Sequence, residues 1–207
     1  MENILIDELP KTVTVDGEEY PIEWNFRAAI LFELLMDDPD YSASEKIEQA
    51  LLLFYPKEIP VNIDKAVDEV IKFYLCGEDL SKEQEPEGWR RKRSRKNYSF
   101  EQDAAYIYAA FLSEYGIDLN SVEGLHWWKF SALFSALGEN HKISQIMYYR
   151  DVSLKGKSGS EKKFLTEMKR KYALKENVDV CQKMSLAQRD SKMAEYVKRR
   201  HLETGGE

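Results

Sequence analysis

"SVEGLHWWKFSALFSALGEN", residues 121–140, sets His126 before two adjacent tryptophans, Trp127 and Trp128, with Lys129 after them. On a helix each residue turns by about 100°. Trp127 then lines up with Phe130, Phe134 and Leu137, while Trp128 lines up with Leu125, Ala132 and Leu133. The combined apolar surface is too wide for a helix with one wet side. Such a helix belongs at the centre of a helical protein, packed on two faces. The competing readings are a catalytic pocket around His126 and an aromatic groove that grips a partner helix. Zinc would require several ligands at close spacing, and none surround His126 or His141. No nucleophile motif accompanies either histidine. His126 reads instead as a hydrogen-bonding group near a helix start. Trp127 reads as core, and Trp128 stands between core and partner face.

Upstream, "KTVTVDGEEYPIEW" (residues 11–24) is the strong β signal. Val13 and Val15 alternate with polar residues, Asp16-Gly17 supplies a positive-φ pair, and Tyr20, Ile22 and Trp24 alternate beyond it. A lone hairpin is marginal in water, so it must pack on helices. Three helices are predicted next. The first carries Phe26, Ala29, Ile30 and Leu34. The second opens with Ser42 and Glu45 at capping-box spacing and carries Ile47, Ala50, Leu51 and Phe54. The third carries Ile63, Val67, Val70, Ile71 and Tyr74 and closes on Gly77 as its left-handed cap.

Residues 78–97 change character. Five acids from Glu78 to Glu87 precede Arg90, Arg91, Lys92, Arg93, Arg95 and Lys96, with almost no apolar periodicity. This predicts an exposed, mobile charged loop. The helical pattern then resumes. Ser99 and Gln102 stand at capping-box spacing, and Phe100, Ala104, Ile107, Tyr108, Phe111 and Tyr115 are expected on one face. Gly116 is the expected C-cap, with Ile117 making the accompanying contact. "ISQIMYYRDV" continues or restarts a helix, "LKGKSGSEK" reads as a break, and Phe164, Leu165, Met168 and Tyr172 mark one side of a further helix. The polar tail, residues 176–207, has room for one helix from Ser185 to His201. The predicted fold is mainly α: six or seven helices in one domain over residues 1–175, with the hairpin at 11–24. A split at the charged loop is the alternative. A half of about 75 residues is marginal alone, so the halves are expected to pack together.

Composition narrows the function classes. No run of about 18 apolar residues exists, so no membrane span is expected. "MENILIDELP" lacks an apolar signal core, which argues against secretion. Cys76 and Cys181 form no metal or redox spacing. Phosphate-cradling, zinc-protease and calcium-loop motifs are missing, and no carboxylate pair stands out for acid–base work; a non-enzymatic protein without a cofactor is expected. The net charge of −7 hides a split. Met1–Gly88 carries 7 Lys and Arg against 22 Asp and Glu, whereas Asp151–Glu207 carries 14 against 9. Such a split favours attraction within a chain or between copies. The basic run 90–96 invites nucleic acid, but aromatic interleaving is missing apart from Trp89 and Tyr98 at its borders. A solvated or protein-docking segment is the preferred reading. The partner-binding candidates are therefore Trp128, Trp89, Arg90, Arg91, Arg93 and Arg95.

"YSFEQDAAYIYAAFLSEYGIDL", then "LHWWKFSALFSALGE" and "YYR", resemble a family from tailed phages and prophages of Gram-positive bacteria, the tail-module proteins of the "Gp fifteen" type. "VDGEEYPI" and "KFYLCG" fit it as well, and the likeness extends over residues 9–174. The resemblance implies a tail assembly chaperone of long-tailed phages. Its job would be to coat the helical tape-measure protein in the host cytoplasm until tail-tube subunits displace it, leaving it absent from the virion. Self-association and a neighbouring tail chaperone product as partner are part of that implication. The family supplies no catalytic residues. The alternatives are a tail component retained in the virion and a nucleic-acid-associated phage protein using residues 90–96.

Overall fold

The computed structural model describes residues 4–78 and 96–175, with Ser191, Ala194 and Glu195 of the tail, which are helical. The rest of the expected tail helix and all of the charged loop except Glu78, Lys96 and Asn97 lie outside the described residues. The architecture is mainly α. Two strands, β1 (Thr12–Val15) and β2 (Glu18–Pro21), precede α1 (Phe26–Asp37), α2 (Ala43–Phe54) and α3 (Ile63–Tyr74). Then follow α4 (Ala104–Tyr115), α5 (Trp127–Ser135), α6 (Lys142–Asp151) and α7 (Gly159–Lys171). The described residues form two compact units: 4–78 with 124–131 and the three tail residues, and 96–123 with 132–175. The division along the chain falls after Ser131, inside α5.

In the N-terminal unit, β1 and β2 pair antiparallel, with Val15 opposite Glu18. Asp16 and Gly17 both have positive φ (53° and 88°), the turn that suits a two-residue hairpin. Lys65 Nζ donates to the Asp16 carboxylate, as does Asn62 Nδ2 at 2.9 Å, which ties the turn to the start of α3 and holds the carboxyl below its ordinary range. Val13, Val15 and Ile22 are buried. α1 packs on α2, α2 on α3, and α3 on β1. The fully buried Phe54 meets Phe32 and Phe73 edge-on at 5.4 and 6.1 Å. Ser42 and Glu45 form the reciprocal capping box that the spacing predicts.

Helix faces differ from expectation in detail. Leu53 is buried where Ile47 is exposed, and α1 buries Phe32 and Leu35 while Ile30 and Leu34 are only half-buried. At the end of α3 the left-handed cap residue is Cys76 (φ 56°), not Gly77. Cys76 N–H donates to Phe73 O and Gly77 N–H to Lys72 O, the paired bonds of a Schellman ending.

In the C-terminal unit, α4 packs on α6 and α6 on α7, around the fully buried Phe111, Ile143 and Ile146. Gly116 (φ 65°) ends α4, and Ile117 N–H returns to Phe111 O. Helix α4 starts later than the Ser99–Gln102 spacing predicts. Ser99 Oγ does accept from Gln102 N–H, at 3.2 Å, but the helix begins at Ala104. Asp103, at its N-cap, makes no cap bond because its carboxylate is engaged elsewhere: it accepts from Ser99 N–H and from the forked guanidinium of Arg150. The predicted break at 154–162 is also shorter. Ser158 Oγ accepts from Glu161 N–H and starts α7 there.

Candidate functional site

The double tryptophan sits where three backbone ends meet inside the N-terminal unit. Residues Asn25 and His126 form an isolated antiparallel bridge. Phe26 N–H, first in α1, donates to Leu125 O at 3.0 Å, and Trp127 N–H, first in α5, donates to Trp24 O at 2.8 Å. Each helix thus takes one carbonyl from the other's approach strand, satisfying a donor that a helix start leaves open. Asn25 Oδ1 accepts from Arg27 N–H, and the buried Glu23 carboxylate accepts from Asn25 N–H.

The third end is the C-terminus of α3. Trp127 Nε1–H donates to Tyr74 O at 2.8 Å, and Trp128 Nε1–H donates to Phe73 O at 2.8 Å. Two carbonyls in the last turn of α3 are therefore bonded by adjacent indoles that diverge from one helix start. Trp127 also stacks on Tyr74 at 5.3 Å. The indole of Trp128 lies against Gly77, where an added Cβ would fall 3.2 Å from the ring, so both φ (+79°) and space favour glycine.

His126 completes the junction. Its Nδ1 accepts from Trp128 N–H at 3.1 Å, which places the proton on Nε2, facing Pro10 O at 2.9 Å. The ring stacks on Trp24 at 5.7 Å. Burial pushes its pKa below the ordinary histidine value; the Pro10 bond opposes that shift, and Lys129 and Lys11 add to it. Both ring nitrogens are committed, which is the helix-start role expected of this residue. Among the described residues, no group of three or more His, Cys, Asp or Glu is placed to hold a metal ion. Burial also raises the Cys76 thiol pKa.

This geometry corrects the partner-face reading of Trp128. The side chain is only 7% exposed and its N–H is used within the same unit. Only its edge reaches a groove of about 310 Å³, rimmed by Thr12, Thr14, Glu69 and Lys72. Trp89, Arg90, Arg91, Arg93 and Arg95 lie outside the described residues, so the structure does not bring them to any site.

The exposed apolar surface lies elsewhere, on α4. Ala105, Tyr108, Ala109 and Leu112, at i, i+3, i+4 and i+7, all face solvent, with Tyr108 at 37% and Leu112 at 45% exposure. The buried side is Ile107, Ala110 and Phe111, so Ala104 and Tyr108 are exposed where a shared buried face was expected. The sole charged side chain in α4 is Glu114, whose carboxylate meets His141 Nε2 at 2.8 Å. The Tyr108 hydroxyl donates to Asp118, which raises the phenol pKa. The sequence signal for this face was present: α4 is apolar nearly all round, which means that one side needs a partner.

Opposite it in character is the outer surface of α6 and α7. Lys162, Lys163 and Arg170 are exposed there beside Tyr148 and Phe164, which are 53% and 50% exposed. Phe164 and Leu165 were both expected on the buried side; Leu165 is buried and Phe164 is not. Arg150 holds the base of this region. Its Nη2 donates to Asp103 Oδ1 at 2.9 Å and its Nη1 also donates to Asn97 O at 3.0 Å, while Nε donates to Tyr172 O. Both partners of the ion pair are nearly buried, with side chains 10% and 3% exposed.

Among the described residues, no helix is long and apolar enough to cross a membrane. The family model described as "Bacteriophage Gp15 protein" matches residues 5–174. No curated protein and no solved structure matches the chain.

Proposed function

We propose, since the chain belongs to the bacteriophage Gp15 protein family, that it is a non-enzymatic tail assembly chaperone. In this reading it binds the tape-measure protein and keeps it soluble in the host cytoplasm until the tail tube grows along it. The observation that carries the reading is the uncharged outer face of α4, formed by Ala105, Tyr108, Ala109 and Leu112. Small residues at Ala105 and Ala109 permit close approach of a second helix, and Tyr108 and Leu112 flank the seam, as in helix-in-groove recognition. The face spans about two turns, so one copy grips weakly. Many copies on one long partner would hold by avidity and still yield one by one to tube subunits. Self-association, and pairing with a neighbouring tail chaperone product, fit the same scheme.

The test is co-expression with the tape-measure protein of the same phage. The wild-type chain should move that protein from the pellet to the soluble fraction. Leu112→Glu and Ala109→Glu should abolish the effect while leaving thermal unfolding within about 0.5 kcal/mol of wild type, as expected of exposed sites. Soluble yield that is the same with and without the wild-type chain would refute the proposal. Mass spectrometry of purified virions supplies the second arm: stoichiometric copies there would identify a retained tail component instead.

A further inference from the structure

We infer that the α6–α7 surface is a docking face for the acidic N-terminal unit of a second copy of this chain. The inference rests on the self-association in the reading above, and not on the identity of the helical partner. Residues 142–175 carry ten Lys and Arg against three Asp and Glu, whereas residues 4–78 carry six against seventeen. The net charge is thus +7 over residues 142–175 and −11 over residues 4–78, segments that belong to different compact units, so each molecule carries two surfaces of complementary charge.

The detail on each side supports a contact rather than two solvated surfaces. On α7, Lys163 and Arg170 lie on the side away from the buried Leu165 with Lys162 flanking them, and all three are exposed with no ion-pair partner among the described residues. Phe164 and Tyr148 beside them are half-exposed, and Phe164 keeps its ring edge-on to Tyr149 at 6.1 Å. On α3, Asp64 and Asp68 are one turn apart, exposed, and equally without an ion-pair partner among the described residues. Val61 (95% exposed) and Ile63 (43%) lie next to them. Each side thus offers unpaired charges around large exposed apolar groups. Nucleic acid is the less favoured occupant of the basic face: the net charge of −7 repels a polyanion at long range, and the Phe164 ring is already held edge-on by Tyr149.

Because the two faces differ, the contact is heterologous and repeats head to tail into rows rather than closing as a dimer. The test is sedimentation velocity of the full chain over a concentration series, at about 50 mM and about 1 M salt, where the screening length falls to roughly 3 Å. Wild type should grow with concentration at low salt and revert to monomer at high salt. Lys162→Gln/Lys163→Gln/Arg170→Gln and Asp64→Asn/Asp68→Asn should each weaken self-association at least tenfold. Mixed together, the two variants keep one good face of each kind and should form 1:1 dimers that grow no further, which also shows that both are folded. Wild type that stays monomeric at low salt, or variants that associate as wild type does, would overturn the inference. So would a monomer whose triple variant has lost binding to a fluorescent single-stranded oligonucleotide, since that result assigns the face to nucleic acid. The α4 variants Leu112→Glu and Ala109→Glu should form rows as wild type does, so this result stands or falls apart from the solubility assay.

Discussion

The two units close their interiors by different chemistry. In the N-terminal unit, neutral hydrogen bonds finish backbone ends: Leu125 O and Trp24 O take the first donors of α1 and α5, and the indoles of Trp127 and Trp128 reach the last carbonyls of α3. The C-terminal unit gathers the start of α4, the end of α6 and the segment after α7 around one guanidinium, that of Arg150. Neutral junctions tolerate small changes because each bond is individually modest. A buried ion pair does not, because removing either partner strands a charge. The N-terminal unit keeps its large aromatics inside, whereas the C-terminal unit leaves Tyr108, Leu112, Tyr148 and Phe164 outside. Both units leave apolar surface outside, aliphatic in the first, with Val61 and Ile63, and largely aromatic in the second.

The largest expected effects come from breaking each closure at its centre. Trp128→Ala should cost about 3–5 kcal/mol in urea unfolding, the range for aromatic truncation in a core. Trp128→Phe should cost about 1–2 kcal/mol, since Phe73 O still holds the Cys76 N–H. Equal losses for the two variants would mean that the indole N–H, and not the packed ring, dominates. In the other unit Arg150→Met should also cost about 3–5 kcal/mol, by leaving the Asp103 carboxylate buried without its cation. Asp103→Leu/Arg150→Met should recover most of that loss. A double variant as unstable as the single one would show that the backbone bonds to Asn97 and Tyr172, rather than the ion pair, hold this unit.

A smaller effect tests whether helix ends count equally in both units. Ser42→Ala removes one half of a reciprocal capping box and should cost about 1 kcal/mol. Ser158→Ala removes a single longer bond, at 3.4 Å, and should cost less. Chemical denaturation of both variants decides the order.

These differences mark what was legible before the structure. Signals complete within a few residues carried through: the Asp16-Gly17 turn, the Ser42–Glu45 box and the Gly116 ending all arise from local dihedral and hydrogen-bonding needs. Features set by distant residues did not. Helix α4 is apolar on nearly every side, so periodicity had no means of choosing Ile107 over Tyr108 for burial. Asp103 has the chemistry of an N-cap, and only Arg150, 47 residues on, explains why it does not cap. The tryptophan pair was correctly placed on a buried helix, but its second task was invisible, because nothing local says that α3 ends against it. The same gap made Trp128 look available to a partner, while the outward face of α4 was assigned to the core.

The finest distinction between the units is their response to acid, and it turns on His126. With its proton on Nε2 facing Pro10, this ring accepts the Trp128 N–H only while it is neutral. Its pKa in the folded chain lies below 6.5, chiefly through burial, with Lys129 and Lys11 adding repulsion. Above about pH 6.5 the ring is neutral in both states and contributes no pH dependence. Below that, the unfolded chain takes up a proton that the folded chain refuses until a lower pH. The unfolded state then binds more protons, so stability falls as pH falls through this window. The effect levels off once the pH lies below the folded value as well. His126→Asn offers an acceptor to the helix start but does not titrate. Wild type should be the more stable protein at pH 7.5, and the gap in urea midpoint should narrow steadily toward pH 5. Other acidic groups titrate alike in both proteins and cancel in the difference. A gap that stays constant across that range would show that His126 is not the neutral group that ties the start of α5 to Pro10.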